Sequence, residues 1–279
     1  MSDPVFGFGA IPADLGDKIV ADEVGIEFGV HGRFRLRCAI QPVFRHRDGR
    51  LTPVAVDAQV VPYLNGQPAA LAGFDAEVSG EDRALVARMA VVLALANVHN
   101  IGVEGVSLIF RPEAAAGAAA VEDLRFMVRR LADEGVEASR LICEVDGTGA
   151  ALAAAASALG LRLALRGRAG ADPDQDAAGN LGADVVRLGR ASFDRFCADA
   201  ATGRLLRTVV SEFRARGASV LVDGIDSENH LEVALAAGVD LLAGDLLEPP
   251  VLVGSAIDEG ARDTSRFRRG DCVVIPLFG

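Results

Sequence analysis

Two strand-length apolar runs in this chain end in charged residues. They are Leu141-Ile-Cys-Glu144-Val-Asp146 and Leu161-Arg-Leu-Ala-Leu-Arg166-Gly167. The alanine-rich segment Gly147 to Gly160 between them reads as a helix, so the three together form one strand-helix-strand unit. In parallel α/β proteins the side chains at the carboxyl ends of such strands face the ligand, which makes Glu144 and Arg166 the first candidates for chemistry. Glu144 offers the oxygen donors of a divalent-metal ligand. Arg166 beside it carries a permanent positive charge and cannot bind a cation, so the pair points to a site that has lost its metal.

Other chemistry-bearing residues give little. His31, His46, His99 and His230 are dispersed, with no ligand spacing and no adjacent nucleophile. Cys38, Cys143, Cys197 and Cys272 lack Cys-x-x-Cys spacing and read as reduced residues of a cytosolic protein. The glycines of Gly167-Arg-Ala-Gly170 fit no phosphate-binding fingerprint. The chain has 279 residues, 51% of them hydrophobic, enough for one large core or two modest ones. Its net charge of -11 disfavours nonspecific attraction to nucleic acid or an anionic membrane face. Basic runs at Arg33 to Arg37, Arg45 to Arg50 and Arg266 to Arg269 leave room for local patches. No apolar run reaches a membrane span and the N-terminus lacks a signal pattern, so a soluble cytoplasmic protein is expected.

The elements that must position Glu144 and Arg166 follow from periodicity. Residues 1–33 are expected to form an N-terminal strap, with one short helix over Leu15 to Phe28. Phe34 to Phe44 and Leu51 to Leu64 read as an antiparallel pair, joined at Asp48-Gly49. Ala84 to Val98 reads as a helix. Strands at Val106 to Phe110, Leu141 to Val145, Leu161 to Leu165, Ala183 to Leu188, Ser219 to Val222 and Asp240 to Leu242 then alternate with helices. Those helices are read at Val121 to Gly135, Ala150 to Leu159, Phe193 to Arg216 and Ser227 to Ala237, with an irregular stretch at Asp172 to Leu181. Such alternation implies parallel strands and crossover helices. The fold class is α/β, with a TIM-like (β/α)8 barrel over residues 34–250 first and an open doubly wound sheet second. Residues 251–279 form a C-terminal extension whose apolar end, Cys272 to Phe278, is expected to pack on the barrel or on another chain.

From Phe34 to Pro250 the chain resembles the EAL domain, the bacterial phosphodiesterase and receptor module for cyclic di-GMP, a TIM-like barrel with an antiparallel opening strand. The resemblance rests on an ordered set of segments. Gln41-Pro42 is similar to the family's "YQPI" strand, and Asp57-Ala58-Gln59 stands where it writes Glu-Ala-Leu. Val106 to Pro112 matches its Asn-bearing strand, Leu141 to Asp146 its "LEITE", and Ala164-Leu-Arg166-Gly167 its "ALDDFG". Asp184 to Arg190 falls on "DxxKxD", Val222 to Asp226 on "AEGVE", and Ala243-Gly244 on "QG". Carried over position by position, the family's metal-binding residues fall on Asp57, Ile109, Glu144, Arg166, Gly167 and Asp223. Arg187 falls on its catalytic lysine and Ala243 on its glutamine. Only Glu144 is identical. Asp57 and Asp223 keep a carboxylate on a shorter stem, Ile109 and Gly167 supply no oxygen, and Arg166 supplies a cation.

A two-metal hydrolytic centre needs cations about 3.5 to 4 Å apart, which this donor set does not cage. The resemblance therefore implies a vestigial site, no cofactor, and no enzyme activity. Arg166, Arg187 or both are expected to fill the metal space and pair with Glu144 or Asp223. The arginine that grips phosphate after the family's Glu-Ala-Leu is replaced by Val60-Val61-Pro62, which weakens the case for cyclic di-GMP; Arg111, Arg166, Arg168 and Arg187 remain possible ligand-binding cations. The first reading is a regulatory or scaffolding module acting through a protein partner. A non-hydrolysing cyclic di-GMP receptor and a weak residual phosphodiesterase are the alternatives. A homodimer is implied by the resemblance alone. Partner contacts are expected on the strap, on Leu64 to Ala76 or on Arg266 to Phe278. With no sensory or cyclase segment read beside the barrel, the input is expected to be a partner or expression level.

Overall fold

The computed structural model describes residues 11–113, 116–147, 149–167 and 181–267. A hairpin of β1 (Ile19–Ala21) and β2 (Glu27–His31) comes first. A much longer one follows, of β3 (Phe34–Arg47) and β4 (Arg50–Leu64), with β5 (Gln67–Pro68) against the end of β4. Asp48 and Gly49 turn the long hairpin with φ of 51° and 76°, the left-handed pair that a two-residue loop between twisted strands requires. After α1 (Leu71–Glu77) and α2 (Asp82–Ala96) the chain alternates between strands and helices. The order is β6 (Ser107–Phe110), α3 (Ala119–Asp133), β7 (Leu141–Asp146), α4 (Ala150–Ala158), β8 (Arg162–Arg166), β9 (Val185–Leu188), α5 (Arg190–Cys197), α6 (Ala200–Ala215), β10 (Ser219–Asp223), α7 (Glu228–Ala237) and β11 (Leu241–Ala243).

Eight strands close on themselves in the order β3-β11-β10-β9-β8-β7-β6-β4 and back to β3. Every pairing from β4 round to β11 is parallel, while β3 runs antiparallel to both neighbours. The barrel with an antiparallel opening strand is therefore the observed architecture, and the open sheet is set aside. Inside the barrel Val43, Ala55, Ile109, Ile142, Ala164, Val185, Leu221, Leu241 and Ala243 form a small apolar plug. The larger core lies outside, between the strands and the ring of helices.

Two expected elements are corrected. Leu15 to Phe28 is not a helix: Asp22 Oδ1 accepts from Val24 N (3.1 Å) and Ile26 N (2.9 Å), and Gly25 takes φ of 86°. The chain therefore reverses there, and β2 pairs with β3 from Phe28↔Arg37 to His31↔Phe34. The β-branched residues Ile19, Val20, Ile26 and Val30 favour the strands. Phe193 to Arg216 is two helices. Asp199, in extended backbone, accepts from Ala201 N (2.8 Å) and Thr202 N (2.9 Å) and starts α6 anew with a capping box.

After the barrel, β12 (Val251–Leu252) pairs with β3 and β13 (Arg262–Asp263) with β4, and the Arg262 guanidinium lies 4.8 Å above the Phe44 ring. Residues 251–267 thus lie on the barrel, while Cys272 to Phe278 fall outside the described residues, as does most of Asp172 to Leu181. Among the described residues no helix is long and apolar enough to cross a membrane. Cys38 and Cys143 are buried and their thiols are pushed up to about 12 by that burial, which makes them inert packing residues.

Burial also fixes a pH response in the strap. Glu27 is buried where β2 meets α2 and α3, 3.4 Å from Arg130 Nη2, and its Oε2 has no hydrogen-bond partner. Burial raises its carboxyl above the ordinary 4.5 against the pull of Arg130. A native state that binds the proton more tightly than the unfolded chain loses stability as pH rises from that ordinary value through the raised one. Glu27→Gln is expected to be more stable than the parent at pH 8, with the gap closing below about pH 4.5. Urea midpoints measured across pH check this, and a gap that widens in acid would contradict it.

Candidate functional site

The carboxyl ends of the parallel strands bring most of the sequence-selected residues together. Register places Asp57 on β4 opposite Gln41 of β3 and Ile109 of β6, and pairs Arg166 of β8 with Arg187 of β9 and Asp223 of β10 with Ala243 of β11. Glu144, near the end of β7, is fully buried. Ile109 and Ala243 belong to the apolar plug, so two positions assigned to a polar site have joined its floor. Gly167 follows β8 and lines a cavity with Arg111, Arg166, Arg187 and Gly189. Arg168 lies outside the described residues.

Arg187 holds the centre. Its guanidinium meets three carboxylates, from different strands: Nη1 donates to Asp57 Oδ2 (2.9 Å) and to Asp223 Oδ2 (3.1 Å), and Nε lies 2.5 Å from Glu144 Oε2. The side chain is 3% exposed. The expectation that Arg166, Arg187 or both would fill this space and meet Glu144 or Asp223 resolves unequally. Arg187 pairs with both carboxylates, and Arg166 stands at the rim with its Nε 3.6 Å from Glu144 Oε1. Asp57, which strand-end position alone would leave in solvent, is turned inward as a partner of Arg187.

Arg111 is the residue whose role sequence reading missed, having been assigned only as a possible ligand cation. Its Nε donates to Glu144 Oε1 at 2.5 Å, a closer contact than Arg166 makes. The signal was present in the run Ile109-Phe-Arg111: alternation along a strand puts Arg111 on the face of Ile109, which points into the barrel. A second pair at the mouth, Arg190 with Asp226, was also not singled out.

The charges settle in a definite pattern. Burial alone would raise the Glu144 carboxyl, but Arg187 and Arg111 overcome it and hold the group ionised below the usual range. For Asp57 burial wins, and its carboxyl lies above the ordinary value despite Arg187 and Arg111. The difference follows from the partners: Glu144 is in contact with three guanidiniums, whereas Asp57 has one and its Oδ1 is buried without a hydrogen bond. Burial works against the Arg187 charge, yet Asp57, Glu144 and Asp223 raise its affinity for the proton further still.

This donor set does not fit a pair of divalent ions. The carboxylate oxygens that point inward are already directed at a fixed cation on the same chain. Bringing a metal in would place it beside Arg187 without further oxygen donors to offset the repulsion. Among the described residues no group of three or more His, Cys, Asp or Glu side chains is disposed to hold a metal ion.

No protein-family profile matches the sequence, and comparison with curated proteins likewise gives no match. Solved structures do match. The Bacillus subtilis YkuI protein, with an EAL domain in complex with cyclic di-GMP and calcium, superposes at a TM-score of 0.65 and 15% identity over 80% of this chain, which spans only 57% of that one. The Xanthomonas citri FimX EAL domain in complex with cyclic di-GMP gives 0.65 at 18% identity, covering 82% of this chain and 91% of that one. A standalone EAL protein of Vibrio cholerae, in its cyclic di-GMP-bound form, gives 0.62 at 17% identity, covering 78% and 92%. The strand order, the single antiparallel strand and these superpositions agree that the fold of this chain is that of the EAL domain.

Proposed function

We propose that this chain is a non-hydrolysing EAL-type barrel that serves as a regulatory or scaffolding module through protein contacts. One observation carries the reading: the Arg187 guanidinium sits among Asp57, Glu144 and Asp223, where a metal-dependent hydrolase of this fold needs those carboxylates free. A guanidinium neutralises the cluster and keeps the strand ends together. It has no open coordination position, so it cannot generate hydroxide from bound water as a divalent ion does. The barrel and its core are kept while the reacting centre is closed, which suits a part that presents surfaces.

The test is incubation of the purified chain with cyclic di-GMP in Mg²⁺ or Mn²⁺. The expected result is no linear product; turnover that disappears in Glu144→Ala would overturn the reading. A second reading, a cyclic di-GMP receptor, is favoured by one feature. A cavity of about 240 Å³ at the mouth is lined by Arg111, Arg166, Arg187 and Arg190 against the single carboxylate of Asp223, an excess of positive groups that attracts a phosphate. Calorimetric titration of the dinucleotide into metal-free protein separates the two, since the scaffolding reading predicts no heat of binding.

A further inference from the structure

The β3–β4 hairpin does not stop at the mouth of the barrel. Asp57 marks the level of the site, and β4 continues beyond it to Leu64, paired with β3 as far as Arg35↔Tyr63. There β2 and β1 join on the other edge, through Phe28↔Arg37 and Val20↔Phe28. The result is a small antiparallel sheet standing above the site. One face is committed to the core: Ile19, Phe34, Leu36 and Cys38 are buried in it, and the Phe34 ring meets Phe74 of α1 edge-on at 5.0 Å.

The other face follows from alternation and register. One row across it reads Val20, Phe28, Arg37, Val61, and the next holds Val30, Arg35 and Tyr63. Val20 is 39% exposed, Arg35 is exposed and the others are half-buried. None of Val20, Phe28, Val30 and Val61 takes part in a hydrophobic cluster of the described residues. The solvent face of an antiparallel sheet is ordinarily polar, and this one is valine and aromatic apart from its arginines. Its charge is one-sided too. No Asp or Glu lies in either row, and among the described residues no ion pair to a carboxylate forms at Arg35 or Arg37. Arg35 reaches only the Phe34 carbonyl (3.5 Å) and Arg37 stacks 5.6 Å from the Tyr63 ring.

We infer that this sheet face is the docking surface for a partner protein segment that is acidic and carries apolar side chains. The inference rests on the scaffolding reading above and names the surface it requires. A chain of net charge -11 repels an acidic segment over most of its exterior. The two arginines without carboxylate partners reverse that locally, steering the segment in, and the valines, Phe28 and Tyr63 supply the area that holds it. A cationic segment would satisfy only half of this chemistry, and an anionic membrane, being an extended surface, would also meet the rest of a chain whose net charge is -11.

The test uses the full chain and two fluorescently labelled synthetic peptides, one interspersing Glu with Leu and Phe, the other with Lys in place of each Glu. Anisotropy is expected to show binding of the acidic peptide only, weakening about tenfold in Arg35→Glu/Arg37→Glu and as salt rises through the range where the screening length shrinks. Hydrogen exchange on the complex should show protection confined to residues 19–21, 28–37 and 59–63. The inference is overturned by no binding, by equal binding to the double variant, or by protection elsewhere. A self-association that the double variant abolishes would assign the face to a second copy. Peptide binding that emerges only after removal of residues 268–279 would assign it to the chain's own tail. Both results also overturn it. Hydrolysis of cyclic di-GMP by the parent would defeat the scaffolding reading without moving any of these signals, so the two failures are distinguishable.

Discussion

Arg187→Ala is expected to destabilise the chain by about 3–5 kcal/mol, the cost of leaving buried charges without their counterion. The substitution strands three carboxylates that now share one guanidinium, with Glu144 fully buried among them. Arg111 and, more distantly, Arg166 still reach Glu144 Oε1, but Asp57 and Asp223 lose the guanidinium hydrogen bonds that they make to Arg187. Roughly 6–20 °C of melting temperature should go with it. The same variant should respond to divalent ions where the parent does not: as they stand the three carboxylates are not disposed to hold a metal, but with the resident cation gone they are free to turn, and Mg²⁺ or Ca²⁺ should restore part of the loss. Thermal melts of parent and variant, with and without each ion, read both effects. Equal stability of the two proteins would show that the cluster contributes nothing to the fold, and an ion-induced rise in the parent would show that Arg187 does not close the site.

The chemistry of that centre was legible from residue types at strand ends, because parallel strands deliver their terminal side chains to one place and the order of the segments fixes which ones. Which arginine takes the middle was not. Arg166 and Arg187 are register neighbours on β8 and β9, and sequence gives no measure of how far each side chain reaches inward. The deciding fact is three-dimensional. The Arg187 side chain is buried among Asp57, Glu144 and Asp223, which come from β4, β7 and β10 across the barrel, while Arg166 remains 38% exposed at the rim. Periodicity failed for a different reason in the strap. Leu15 to Phe28 holds apolar residues at spacings that a short helix also satisfies, and the Asp22 turn that breaks it is a local hydrogen-bond device rather than a pattern. The division of the long helix at Asp199 is of the same kind: one side chain competing for backbone N–H groups outweighs the propensity of its neighbours.

Gly244→Ala is the second change with a large expected effect, and its cause lies in the backbone at the mouth of the barrel rather than in a charged group. A Cβ at Gly244 would stand 2.6 Å from the Ile225 carbonyl carbon, and closer still to the nitrogen and oxygen of the same residue. Real Cβ atoms do not approach so near, and here the obstacle is backbone, which cannot rotate away. The Ile225 backbone is pinned on both sides, since its N–H donates to Ala243 O (2.9 Å) and its carbonyl accepts from Leu246 N (3.0 Å). To admit one methyl group, the segment Asp223-Gly-Ile225 must move away from β11, pulling Asp223 off Arg187 and separating β10 from its neighbour. Overpacking against side chains costs about 1–3 kcal/mol; against a fixed peptide the loss is expected to exceed ~3 kcal/mol and to remove most soluble folded protein. Gly73→Ala provides the control. It lies in α1, where nothing stands within 4 Å of the added carbon, so it should leave stability unchanged or raise it by about 0.5–1 kcal/mol through helix propensity. Urea denaturation of both variants decides the matter. A Gly244→Ala protein as stable as the parent would mean that β10 and β11 are not held at this approach, and that Asp223 is free of the constraint that keeps it on Arg187.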